Sequence, residues 1–142
     1  MSTYVSPSQK AVIRVTCRNC CAYCRTPENL TTTTFEIEHI IPLAAGGRTE
    51  IGNLCLACPT CNRFKANLQA ALDLVSGEVV PLFHPNLQRW DEHFAWNNNR
   101  SEIIGLTATG RATVELLRMN RPELVRMRKL WIKLDEFPVW IE

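Results

Sequence analysis

No stretch of this sequence approaches the roughly eighteen uninterrupted apolar residues of a membrane-spanning helix. The opening MSTYVSPSQKAV has no basic segment leading into an apolar run. A membrane partner and a secretory leader are therefore not expected, and the chain is read as cytoplasmic. Internal repeats, linkers and low-complexity tracts are lacking too, which removes the usual compositional grounds for disorder. Charge of one sign does not dominate: 16 basic and 14 acidic residues leave a net charge of +2. That balance does not by itself establish nucleic-acid binding, so the distribution matters more. At 142 residues and 46% hydrophobic, the chain fits one domain with a modest core.

The charges are unevenly placed. Residues 8–25 hold Lys10, Arg14, Arg18 and Arg25 with no acid, and residues 111–133 hold seven Lys or Arg against Glu115 and Glu123. Either segment suits phosphate, and either equally suits an ordinary solvated helix surface.

Cysteine is plentiful, with seven residues. Without a leader, and in odd number, these point to metal or thiol chemistry rather than a disulfide framework. Cys21-Ala-Tyr-Cys24 and Cys58-Pro-Thr-Cys61 form C-x2-C-x33-C-x2-C, two knuckles able to offer four thiolates to one zinc ion. A closed four-sulfur shell leaves no position for substrate, so the expected role is structural. Cys17-Arg-Asn-Cys20 has the same spacing, but the pair 21/24 is preferred, leaving Cys17, Cys20 and Cys55 as buried thiols. An iron centre in the same sulfurs, a redox dithiol, or plain buried cysteines are the competing readings. A redox site needs only one CxxC, ordinarily in a βαβ setting absent here.

Local signals outline the elements. Ser6-Pro7-Ser8-Gln9 reads as a capping box opening a helix in an N-terminal section 1–16. The β-branched run 31–41 predicts a strand ending near His39 and Pro42, and Gly46-Gly47 a loop. A short second strand or turn at Asn53-Leu54 and a helix over 59–66 follow. Residues 68–100 show no sustained period. A strand at 103–106, a helix over 108–119 and a capping box at Asn120-Arg121-Pro122-Glu123 lead into a last helix. That helix is expected to pack Leu124, Met127, Trp131 and Leu134 on one face and to present Arg126, Lys129 and Lys133 on another. His93, among aromatics, reads as a packing residue and His84 as a loop residue.

Between the knuckles lie Glu36-Ile37-Glu38-His39-Ile40-Ile41-Pro42, Gly46-Gly47, Asn53-Leu54 and Cys58-Pro-Thr-Cys61-Asn62-Arg63-Phe64-Lys65. In order and spacing these resemble the HNH endonuclease family over residues 17–70. The tail from Trp90 through Gly110-Arg111-Ala112-Thr113 looks like the extension of some small bacterial members and carries no catalytic assignment. The resemblance implies an α+β fold: a ββα-metal finger (17–70) with a four-cysteine zinc knuckle pair, plus a mainly helical C-terminal extension (71–142).

It also implies metal-dependent hydrolysis of DNA, and Lys and Arg contacts to phosphate are expected to depend little on sequence. Such hydrolysis needs an activated water, neutralised phosphate charge and a stabilised leaving oxygen. The family's general base falls on His39, a residue type largely neutral at cellular pH and able to take a proton. Glu38 and Asn62 are then expected to hold Mg2+ or Mn2+ through oxygen. Glu38 stands where aspartate is frequent, and Asn62 where histidine gives the motif its last letter. Asn53 is expected to fix the loop and orient His39 by a hydrogen bond. Arg48, Arg63 and Lys65 are candidate phosphate contacts. The rival reading is a zinc-dependent DNA-binding module without cleavage, which would not require Glu38, His39 and Asn62 together.

Overall fold

The structure is a computed structural model, and it describes residues 3 to 140. Helix α1 (Pro7–Thr16) starts as expected. The Ser6 hydroxyl accepts from Gln9 N–H, and the Gln9 side chain accepts from Ser6 N–H. It buries Ile13 and lies along the second strand of the finger.

That finger is β1 (Glu36–His39), β2 (Leu54–Ala57) and α2 (Pro59–Lys65). The strands are antiparallel, with Glu38 opposite Cys55 and His39 opposite Leu54. β1 is shorter than the sequence pattern predicts. Thr31 and Glu28 divert the chain before it: Thr31 Oγ1 donates to Glu28 O, and Glu28 Oε2 accepts from Phe35 N–H. These local side-chain bonds compete with a strand ladder. Gly46 adopts φ 89°, and a Cβ on Gly47 would collide with the carbonyl of Ile41. Together they explain the Gly-Gly pair by backbone conformation and close approach.

The extension holds two strand pairs as well as helices. β3 (Ala70–Leu72) and β4 (Val79–Pro81) form a hairpin that the sequence pattern does not predict. Its turn is organised by Asp73, which accepts from Val75 and Ser76 N–H and bonds Arg111 through both carboxylate oxygens at 2.9 Å. Short, largely exposed strands carry little periodic signal, which is why this hairpin escapes a sequence reading. After α3 (Trp90–His93), β5 (Phe94–Trp96) pairs with β6 (Ile103–Gly105), close to the expected strand. Then come α4 (Ala108–Leu116) and α5 (Pro122–Lys133).

Three expectations for the tail are corrected. Helix α4 stops before 119, and no side chain caps α5, whose N-cap is Arg121. Asn120 instead bonds both the N–H and the carbonyl of Ile103 at 2.7 Å, tying β6 to the α4–α5 turn. On α5, Leu124 and Trp131 are buried, but Met127 and Leu134 are exposed. The inner face is completed by Arg128, which donates to the carbonyls of Ser101 and Met119 and to Asn120 Oδ1.

One hydrophobic cluster runs from Ile13 to Phe137, so extension and finger share a core. Trp90 Nε1 donates to Tyr23 O at 2.9 Å, and Asn86 Nδ2 donates to the carbonyls of Ile51, Gly52 and Leu54. These bonds brace the finger from behind.

Candidate active site and metal centre

The first knuckle turns back so that Ala22 N–H donates to Leu56 O, which brings Cys21 and Cys24 beside the start of α2. There Cys58 is the N-cap, and Cys61 lies one turn on. The sulfurs of Cys21, Cys24, Cys58 and Cys61 all lie within 4.8 Å of one another and are buried. Cys24 and Cys58 Sγ are 3.8 Å apart, the spacing of about 3.8 Å that tetrahedral zinc–sulfur bonds of about 2.3 Å require. The donor set fits a tetrahedral thiophilic ion.

Hydrogen bonds from Cys21, Cys58 and Cys61 hold the Cys24 thiol well below the ordinary range, while burial holds Cys21 well above it. Buried this deeply, the four sulfurs could all be thiolates only with a cation among them. Arg121 approaches from α5, with Nη2 3.8 Å from Cys58 Sγ. Burial works against its charge, but the neighbouring sulfurs of Cys24, Cys61 and Cys58 raise its pKa overall.

The other cysteines stand outside this set. Burial raises Cys17, and pushes Cys20 up to about 11. Cys17 Sγ accepts from Leu56 N–H, and Cys20 Sγ donates to Arg18 O. Position thus selects 21/24 over 17/20. Cys55 donates to Glu38 Oε2 at 3.3 Å.

On the same finger, Glu38, His39 and Asn62 line one cleft of about 400 Å³. His39 Nε2 lies 2.9 Å from Thr49 Oγ1, and Nδ1 has no hydrogen-bond partner among the described residues. The expected bond from Asn53 to His39 is absent. Asn53 instead holds the loop backbone, accepting from Ile41 N–H and donating to Ile41 O and Arg48 O. Thr49 takes the orienting place, a residue that carries no motif signal because it comes to His39 only through the folded loop.

The expected ligands are differently engaged. Asn62 Nδ2 donates to Glu36 Oε1 at 2.8 Å, leaving Oδ1 without a partner among the described residues. Glu38 is buried, and its Oε1 lies 2.7 Å from Lys65 Nζ. A carboxylate, an amide oxygen and an imidazole on one cleft suit a hard divalent ion.

Lys65 corrects the expectation of a phosphate contact. It sits four residues after Cys61 on the same inward face of α2, is 1% exposed, and also donates to Ile40 O at 2.8 Å. Arg63 and Arg48 are exposed, the latter paired with Glu50 at 2.9 Å. Arg126, Lys129 and Lys133 are exposed along α5. His93 packs on Phe83 and bonds Thr107, while His84 Nδ1 accepts from Asn86 and Leu87 N–H. Neither joins a metal cluster among the described residues.

A four-cysteine cluster able to hold a metal ion and a histidine-bearing cleft are thus carried on one ββα finger. Residues 21–68 match the family model for HNH endonuclease. No curated protein and no solved structure matches the chain. No helix among the described residues is long and apolar enough to cross a membrane.

Proposed function

We propose that the protein is a metal-dependent endonuclease that hydrolyses DNA phosphodiester bonds, with His39 as general base. The carrying observation is the convergence of Glu38, His39 and Asn62 on one cleft within the matched segment. When Nε2–H donates to Thr49 Oγ1, the imidazole is held in the tautomer whose Nδ1 lone pair accepts a proton from water. Asn53 acts at one remove, keeping the loop that carries Thr49 closed on β1. Glu38 and Asn62 would hold Mg2+ or Mn2+, an ion that supplies charge to offset the phosphate and the leaving oxygen. The four-cysteine centre takes structural zinc, and Arg48, Arg63, Arg126, Lys129 and Lys133 offer positive charge to the DNA backbone with little sequence preference.

The second reading, a zinc-dependent DNA-binding module without cleavage, is favoured by one observation: Glu38 is paired with Lys65. Zinc-loaded protein incubated with supercoiled plasmid separates the two. Cleavage that appears with Mg2+ or Mn2+ and disappears when that ion alone is withdrawn supports the nuclease. Binding without any cleavage in either ion supports the module.

A further inference from the structure

Both oxygens of the Glu38 carboxylate already have partners inside the protein. Oε1 faces the Lys65 ammonium at 2.7 Å, and Oε2 accepts from Cys55 at 3.3 Å. The Glu38 and Lys65 side chains are only 4% and 2% exposed, so water screens the pair poorly. Lys65 also has a second acceptor, Ile40 O at 2.8 Å, which belongs to the backbone directly after β1.

We propose that Lys65 is the resident counter-cation of Glu38, a positioning residue that lowers the affinity of the catalytic cleft for its divalent ion. The inference rests on Glu38 being a ligand of that ion. The physical reason is competition. A divalent ion approaching Glu38 meets a neutral carboxylate–ammonium pair rather than a free anion, and it meets a fixed positive charge in a poorly screened setting. Lys65 need not enter solvent to yield the carboxylate, because the Ile40 carbonyl continues to hold Nζ. Without the ion, the pair keeps a buried carboxylate from standing uncompensated and keeps α2 seated on β1. Metal loading is then an exchange of one cation for another at a fixed carboxylate.

The test is Mn2+ binding by calorimetry on zinc-loaded full-length protein, with no DNA present. Lys65→Met is expected to bind Mn2+ roughly tenfold or more tightly than wild type. Lys65→Gln, which keeps a neutral donor for Ile40, should shift affinity the same way if the methionine variant does not fold. A wild-type measurement needs no variant to survive. In NMR of protein labelled with 15N-lysine, saturating Mg2+ should move the Nζ resonance of buried Lys65.

Folded variants with unchanged or weaker Mn2+ affinity, or a Lys65 resonance indifferent to Mg2+ that does shift the signals of His39 and Asn62, overturn the proposal. Glu38→Gln is the control for the underlying reading. If it binds Mn2+ as wild type does, Glu38 is not a ligand and that reading fails. If it loses Mn2+ while the Lys65 variants change nothing, only the competition is wrong.

Discussion

Thr49 Oγ1 sits 2.9 Å from His39 Nε2, joining the loop between the two finger strands to the residue proposed to take the proton. The Thr49 side chain approaches from ten residues further along the chain, and its own segment is held by Asn53 on the carbonyl of Arg48.

Thr49→Val keeps the shape of the side chain and removes the hydroxyl. Single-turnover cleavage is expected to fall roughly tenfold, the scale for losing an orienting partner, and Thr49→Ser should restore most of it. His39→Ala should lose about a hundredfold or more while zinc content and DNA affinity stay as in wild type. Equal rates for His39→Ala and wild type in matched preparations would refute the assigned base.

Metal analysis should find one zinc per chain, held by Cys21, Cys24, Cys58 and Cys61. Cys58→Ala or Cys61→Ala should unfold the finger, because structural zinc contributes about 10–16 kcal/mol in small fingers against a typical domain stability of about 5–15 kcal/mol. Cys17→Ala and Cys20→Ala should retain the zinc stoichiometry. Loss of zinc from either would put the wrong pair in the site.

Arg111 holds the Asp73 carboxyl below the usual carboxylate range, by its two hydrogen bonds. A depressed folded-state pKa means that the stabilisation is fully present above the unfolded value of about 3.9 and is lost as pH falls towards the folded one. Asp73→Asn should therefore melt below wild type by a constant margin from neutral pH down to about 5, and the margin should shrink below about 4. A margin that persists unchanged through the acid range would mean that the pair contributes packing rather than charge.

Reversing Arg126, Lys129 and Lys133 to glutamate tests the outer face of α5. DNA affinity should drop, and the log–log salt dependence should flatten by about one for each phosphate no longer engaged. A triple variant with wild-type affinity would confine α5 to packing.

Much of α1 and of the finger is legible in the sequence because their signals are local or set by spacing. Ser6 and Gln9 cap a helix from within one turn, Gly46-Gly47 marks a bend that a side chain would block, and paired CxxC knuckles announce four sulfurs whatever the chain does between them. The strand, loop, strand, helix order follows from the same marks, whereas the grouping of Glu38, His39 and Asn62 is implied by the family resemblance. The hairpin at 70–81 is not legible, because strands of three residues with exposed apolar positions have too little alternation to stand out.

Other features arise only when distant segments meet. Lys65 carries a charge that reads as surface, yet the helical turn that directs Cys61 to the metal centre also directs Lys65 inward to Glu38. Arg128 belongs to neither face expected of α5, and packing places it against Met119 O and Asn120 Oδ1 of the α4–α5 turn and Ser101 O of the β5–β6 loop. Cys17 and Cys20 share the spacing of Cys21 and Cys24, and the close approach of Ala22 to β2 separates them. Residue type and spacing determine which ligands and bases the chain has available. Which charge is buried, and which partner orients which side chain, depends on contacts between segments far apart in sequence, where burial makes a polar group take whatever partner the fold supplies.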